Sequence, residues 1–267
     1  MGVSVSMLAS GSRGNCAIVA SARTRILVDA GVSCRETFKR MKVLGEDPHQ
    51  LSAILITHEH SDHIYGLAML AKKLSIPVFM TGPTHQAWRR ALRDETGEPP
   101  TLERLEIFSS GRNFQIGDIA VTPFTIPHDA ADPVGFAFRA EGAKVAFATD
   151  LGYVPSNVCD HLHGCDVLVM ESNHDLEMLR GGPYPWSVKQ RVMSRVGHLS
   201  NDALADFFDS QYDGAAAYVV LAHLSESNNH PELARRAAEK ALGSRRTLLR
   251  NRVVLASQTE PMQPICL

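Results

Sequence analysis

Thr57-His58-Glu59-His60-Ser61-Asp62-His63 is the stretch that decides the fold. The imidazoles of His58, His60 and His63 and the carboxylate of Asp62 crowd together more densely than an ordinary polar loop explains. Upstream, Leu51-Ser52-Ala53-Ile54-Leu55-Ile56 is short, apolar and β-branched, the pattern of a buried strand. Downstream, Ile64, Leu67, Ala68, Leu70 and Ala71 recur at helical spacing. The ligand-type residues therefore sit on a strand-to-helix turn, with Ser61 or Asp62 as the helix cap. Side chains alternate along an extended segment, so His58 and His60 point the same way. Asp62 and His63, adjacent at the helix start, point apart. The pattern reads as two metals, one held by each pair. Imidazole with carboxylate suits zinc, manganese or iron.

Beyond this turn the chain is that of an ordinary globular protein: 267 residues, 44% hydrophobic and 21% charged. That length suits one large domain or two small ones, and buries enough surface to need no disulfide or metal staple. A formal net charge of -2 excludes a globally basic nucleic-acid binder but leaves room for a local basic patch. Cys16, Cys34, Cys159, Cys165 and Cys266 show no paired spacing and read as reduced thiols, which implies a cytoplasmic protein. Cys159 and Cys165 suit core filling better than a zinc knuckle. The N-terminus lacks the cationic and apolar regions of a signal peptide. No segment approaches the ~20 apolar residues needed to cross a bilayer.

Val3–Leu8, Cys16–Ala20 and Arg25–Val28 read as the opening strands. Between the first two, Ser10-Gly11-Ser12-Arg13-Gly14-Asn15 is either a backbone nest for a phosphate or a plain hairpin turn. Further strands are expected over Pro77–Met80, Ile119–Phe124, Val134–Arg139, Lys144–Ala148, Val167–Met170, Ala217–Ala222 and Val253–Ala256. Gly117-Asp118 and Glu141-Gly142-Ala143 mark hairpin turns. Helices are expected in part of Pro83–Arg104, where Arg89, Arg90 and Arg93 read as a solvated face, and over Pro183–Arg195, Asn201–Ser210 and Pro231–Leu242. No internal repeat or low-complexity linker interrupts this alternation.

Apolar strands end repeatedly in a ligand-type residue: Asp29, His58, Asp150, Glu171 and His223, with His128 one proline beyond another strand. Strand ends along one sheet edge converge, so the repetition argues for a single site. His85, His161, His163, His174 and His230 lack this context and read as surface or supporting residues. The H-x-H-x-D-H motif after a strand resembles that of the metallo-β-lactamase superfamily. The resemblance implies a single αββα sandwich over residues 1–267, with two mixed sheets face to face and helices outside. It implies that His58, His60 and His128 hold one divalent metal, that Asp62, His63 and His223 hold a second, and that Asp150 bridges them. It also makes Asp29 a support for the ligand loop and a hydroxide between the metals the nucleophile, with Asp62 in the catalytic set.

Within the superfamily, Asp150 in place of a bridging Cys argues against lactam cleavage. The order Asp150, Glu171, Gly197-His198-Leu199-Ser200, then a strand ending in His223, is similar to that of the tRNA 3′-processing endonucleases. That similarity implies that His198 is the general acid for the leaving oxygen and that Glu171 orients it. A histidine beside a Ser200 helix cap is the plainer reading of the same segment. The widest resemblance is to the YycJ/WalJ-like nucleases. It runs through Leu8–Ser12, Gly14-Asn15-Cys16, Asp29-Ala30-Gly31, Thr57–His63, His128-Asp129-Ala130, Thr149–Gly152, Gly197–Asn201 and Ala222–Asn229.

That family implies a DNA exonuclease acting from 5′ ends, connected with repair, with zinc or manganese as the ion. Ser10, Ser12, Asn15 and Asn228 become the substrate-binding candidates. Arg235, Arg236, Lys240, Arg245, Arg246, Arg250 and Arg252 make the C-terminal part locally basic, as a phosphate contact or a solvated face. The same ligands serve glyoxalase-II-like and lactonase-like ester hydrolases, and an RNA-processing endonuclease is the other alternative. DNA is the expected partner ahead of RNA, no membrane is expected, and monomer and homodimer are both open.

Overall fold

The structure is a computed structural model that describes residues 2–91, 101–243 and 251–267. The first part of the chain lays down β1 (Ser4–Ala9), β2 (Cys16–Ala20), β3 (Arg25–Val28), β4 (Ala53–Leu55), β5 (Val78–Thr81) and β6 (Leu105–Phe108). The second lays down β7 (Phe114–Ile116), β8 (Ile119–Thr125), β9 (Val134–Ala140), β10 (Ala143–Ala148), β11 (Val167–Glu171), β12 (Tyr218–Ala222) and β13 (Arg252–Leu255). The last strand, β14 (Ile265–Cys266), returns to the edge of the first sheet beside β1. Among the described residues these form two seven-stranded sheets, ordered β14-β1-β2-β3-β4-β5-β6 and β13-β12-β11-β10-β9-β8-β7. Both are mixed. The strands from β14 to β3, and from β7 to β10, pair antiparallel, and those beyond pair parallel.

Period-two alternation places the layers. Along β11, Val167 and Val169 face the other sheet, joining Val5, Val28, Phe136 and Val220 in the central core. Leu168 and Met170 face outward, toward α5 (Ser156–Leu162), α8 (Asn201–Ser210) and α9 (Pro231–Gly243). The first sheet turns Ile18, Leu27 and Ile54 toward α1 (Cys34–Val43), α3 (Leu67–Leu74) and α4 (Gly82–Ala91). The result is the expected αββα sandwich: two mixed sheets with helices on both outer faces. α2 (Ser61–Ile64), α6 (Leu176–Gly181) and α7 (Trp186–Val192) lie in connections.

Several local details differ from expectation. The helix after the ligand turn begins at Ser61 with His60 as its N-cap and no side-chain cap, because Asp62 turns toward the neighbouring histidines instead. It is split in two at Gly66, whose N–H leaves the helical pattern for Ala30 O at 2.7 Å. α1, α5, α6, β6, β7 and β14 were not foreseen. For α1 the signal was there in Ser33 and Glu36, a capping box whose Ser33 Oγ accepts from Glu36 N at 3.2 Å. Arg93, Arg245, Arg246 and Arg250 lie outside the described residues.

Candidate metal centre

The site is built from strand ends of both sheets. The loop after β4 supplies His58, His60, Asp62 and His63; the ends of β8, β10, β11 and β12 supply His128, Asp150, Glu171 and His223. Five non-glycine residues among those described have positive φ, and three of them are Asp29 (60°), Asp150 (62°) and His223 (54°). A left-handed residue straight after a strand turns its side chain off the sheet edge, and such strain gathers where function holds it in place.

Ligand atoms of His58, His60 and His128 lie within 4.8 Å of one another, as do those of His58, His63 and Asp150, and those of Asp150, Glu171, His198 and His223. Asp62 joins the cluster, its Oδ2 3.4 Å from His63 Nε2 and 3.6 Å from His223 Nε2. Asp62 and His63 therefore converge at their tips, against the expectation that they point apart. The helix starts at Ser61, just before them, and its first turn brings both toward the strand ends.

The rings are oriented from behind. Asp29 accepts from Thr57 N at 2.9 Å and lies 2.8 Å from His63 Nδ1, which fixes Nδ1 as the donor and leaves the Nε2 lone pair facing the cluster. His128 Nδ1 donates to Gly197 O at 3.1 Å, freeing its Nε2 in the same way. His58 Nδ1 meets the Thr57 hydroxyl at 3.0 Å. Its Nε2 is buried without a hydrogen-bond partner, as is Asp150 Oδ2. His223 Nδ1 stands 2.7 Å from Asp150 Oδ1 without hydrogen-bond alignment. Buried lone pairs aimed into one small space, from nitrogen and carboxylate oxygen alone, fit a divalent cation.

The buried carboxylates favour positive charge at this spot, whether a proton or a cation carries it. Burial, with the neighbouring imidazoles, holds His58 well below the ordinary imidazole pKa, so it is neutral and free to coordinate. Burial also depresses His63 and His223. Asp150 with Asp29 and Asp62 in the first case, and with Glu171 in the second, outweighs it and raises both. Asp150 stays ionised: burial opposes this, but His223 and His63 pull its pKa well below the carboxylate range.

Beside this cage, His198 Nδ1 lies 2.7 Å from Glu171 Oε1 and 3.8 Å from Asp150 Oδ1. Glu171 is fully buried, and its other oxygen accepts from Leu151 N at 2.9 Å and Leu199 N at 3.1 Å. Burial would raise its pKa, but His198 and its other partners hold it at about 2. His198 is raised in turn: burial lowers it, and Glu171 more than compensates.

A cavity of about 340 Å³ opens over His60, Asp62, Asp150, His198 and His223. Ser12 and Asn228 line it. Ser10 and Asn15, the other two substrate-binding candidates, do not line it. The Ser10 hydroxyl is turned inward to accept His223 N at 2.7 Å, and Asn15 Nδ2 reaches Asp62 Oδ2 at 3.1 Å. Both brace the cluster. His174, expected at the surface or in support, is buried, and burial drives its pKa to about 4. Sequence reasoning missed Tyr184, Arg191 and Asn173 in the cavity wall. Asn173 lies just beyond the end of β11; for the other two no spacing rule tells which face of a short connection meets the cavity. Arg235, Arg236 and Lys240 lie on α9, Arg252 lies over Tyr218, and none of these lines the cavity.

A family profile described as Beta-lactamase superfamily domain matches residues 24–224. Exodeoxyribonuclease YycJ of Bacillus anthracis is 42% identical over 242 residues, 91% of this chain and 90% of that protein. Exodeoxyribonuclease WalJ of Streptococcus pneumoniae is 36% identical over 234 residues, 88% of this chain and 86% of its own. Among solved structures, the metallo-beta-lactamase fold protein YhfI of Bacillus subtilis superposes with a TM-score of 0.72 at 15% identity. It covers 98% of this chain and 100% of its own, a likeness of fold.

Proposed function

Because the chain belongs to the β-lactamase superfamily and is a metal-dependent hydrolase of that kind, we propose that it is an exonuclease that cleaves phosphodiester bonds of DNA from 5′ ends. The whole chain acts as one domain, and its cysteines, free among the described residues, suit the reducing cytoplasm. The observation that carries the reading is the pair of buried Glu171 and half-buried His198 at 2.7 Å, beside Asp150. An alkoxide leaves poorly unless it is protonated, so phosphodiester hydrolysis needs a proton donor where an activated ester does not.

His58, His60 and His128 would hold one divalent ion, zinc or manganese, and Asp62, His63 and His223 a second, with Asp150 shared. Bound there, such ions supply Lewis-acid polarisation of the phosphoryl group and a water that ionises near neutral pH. The chain's own residues do the rest. Asp29 and Gly197 O fix the His63 and His128 rings. Glu171 Oε1 accepts the hydrogen bond of His198 Nδ1–H, so Nε2 is the atom that presents a proton to the leaving oxygen. Asn228 and Ser12 meet the chain as it enters the cavity.

The test is incubation of zinc- or manganese-loaded protein with end-labelled single- and double-stranded DNA. The expected result is release of short products from 5′-labelled ends, lost in Asp150→Asn. Absence of cleavage with either metal from pH 6 to 9 overturns the reading.

A further inference from the structure

The segment from α7 to His198 is one rigid corner. His198 N donates to Val192 O at 2.9 Å. Gly197 packs so closely that a Cβ there would stand 2.2 Å from both Arg191 O and Val192 O. The corner is tied to the metal cluster by Asp129 N, which donates to Val196 O at 3.1 Å, and by His128 Nδ1 on Gly197 O. Three residues of this corner line the cavity together, Arg191, Val192 and His198, and two of them are polar.

Arg191 has two features that set it apart. Among the described residues it is the only Lys or Arg lining a cavity whose other charges are the carboxylates of Asp62 and Asp150 and the histidines around them. Its Nε is already fixed, donating to Asp129 Oδ2 at 2.5 Å, while its side chain is 60% exposed. Its terminal nitrogens bond no acceptor among the described residues. A guanidinium held at Nε keeps its terminal donors aimed in one direction, the preorganised fork that suits a phosphate. A lysine ammonium could not be aimed from behind in this way.

We propose that Arg191 is a phosphate catch: its terminal nitrogens hold the non-bridging oxygens of the backbone phosphate next to the scissile linkage, so that the cavity admits a polyanionic strand in register with His198. The inference rests on the DNA-hydrolase reading and names the part of the strand that this wall reads. It makes Arg191 a binding residue for the chain, and Asp129 the positioning residue that aims it. The neutral esters served by related sites offer no group for this catch.

The experiment couples charge deletion in the DNA to charge deletion in the protein. Oligothymidylates carry a single neutral methylphosphonate, moved one linkage at a time away from the cleaved bond. Wild-type enzyme should lose roughly 10–100-fold in kcat/KM at one linkage beside the cut, the size of a charged hydrogen bond. Arg191→Gln should lose a similar factor on all-phosphate DNA and nothing further at that linkage; Arg191→Lys should recover part of the loss. In a His198→Ala background, Arg191→Gln should lower the salt slope of single-strand binding by about 0.7, one phosphate contact. Metal content by elemental analysis should be unchanged.

A loss in Arg191→Gln that is the same whichever linkage is neutral overturns the proposal. So does a fall in metal content that tracks activity, which would make Arg191 a prop for Asp129 and His128. DNA left uncut by the wild type would instead fail the nuclease reading itself.

Discussion

His198 makes the sharpest claim at the scale of single residues, because its value depends on the leaving group. Its Nδ1 is committed to Glu171, so substitution removes a proton donor and leaves the cage intact. His198→Ala should lower kcat about 10²–10⁴-fold on DNA, where an alkoxide departs. On bis(p-nitrophenyl) phosphate, whose leaving group needs no proton, the loss should be far smaller. Equal losses on both substrates, measured with metal content unchanged, would assign His198 to binding or to structure. These residues were visible in the sequence because each closes an apolar strand or follows a Gly-His-x-Ser signature. Ser10 and Asn15 were visible as a loop but not in their direction, since the Ser10 hydroxyl is turned inward by a hydrogen bond to His223, 213 residues away. Arg191 was not visible at all: its meaning comes from the cavity and from Asp129, 62 residues away.

At the scale of elements, the strands were the legible part, and the helices less so. β2 and β3 fall on the expected residues, and β11 and β12 within one residue at an end, because strands buried on both faces are apolar runs bounded by turns. α1 is charged along most of its length and packs through Met41, Cys34 and a buried Arg40 that donates to Leu8 O and Gln258 O, so apolar periodicity passes over it. Turns carry more than chain reversal. Asp118, in the β7–β8 turn of one sheet, accepts from Thr24 and Ser21 beside the β2–β3 turn of the other, at 2.5 and 2.7 Å. Those hydroxyls, with Arg23, hold its pKa down at about 2. A carboxylate depressed in the folded state adds stability that is fully present above its unfolded value of about 4 and is lost as pH falls toward 2. Thermal unfolding of Asp118→Asn should therefore start below wild type at pH 6, and the gap should close as pH approaches 2. A gap that is constant with pH would show that shape, not charge, makes this contact.

Across the whole molecule, the two sheets repeat one plan without a repeat in sequence. Each runs three antiparallel pairings, then three parallel ones, and in that correspondence β3 matches β10. Asp29 and Asp150 follow these two strands with nearly the same φ, 60° and 62°. One carboxylate came to brace a ring, the other to face the cage. No identity between the halves announces this, because a sheet needs only apolar alternation and correct turns to repeat a pairing order. The consequence is that the ligand-type residues come from both sheets: His58, His60, Asp62 and His63 from one, His128, Asp150 and His223 from the other. A cation held among them links two layers that otherwise meet through an apolar core and a few polar ties such as Val134 N to Thr57 O at 3.1 Å. It binds the folded chain and not the unfolded one, so at a free concentration of 100 times its Kd it adds about 2.7 kcal/mol. For a chain of this size that is roughly 5–10 °C in Tm. Dialysis against a chelator should lower Tm by about that amount, and readdition of zinc or manganese should restore it. His128→Ala, on one sheet, and His58→Ala, on the other, should each shrink the metal-dependent increment. If only the His58 variant does so, the ion belongs to the turn after β4 alone and does not stitch the sheets together.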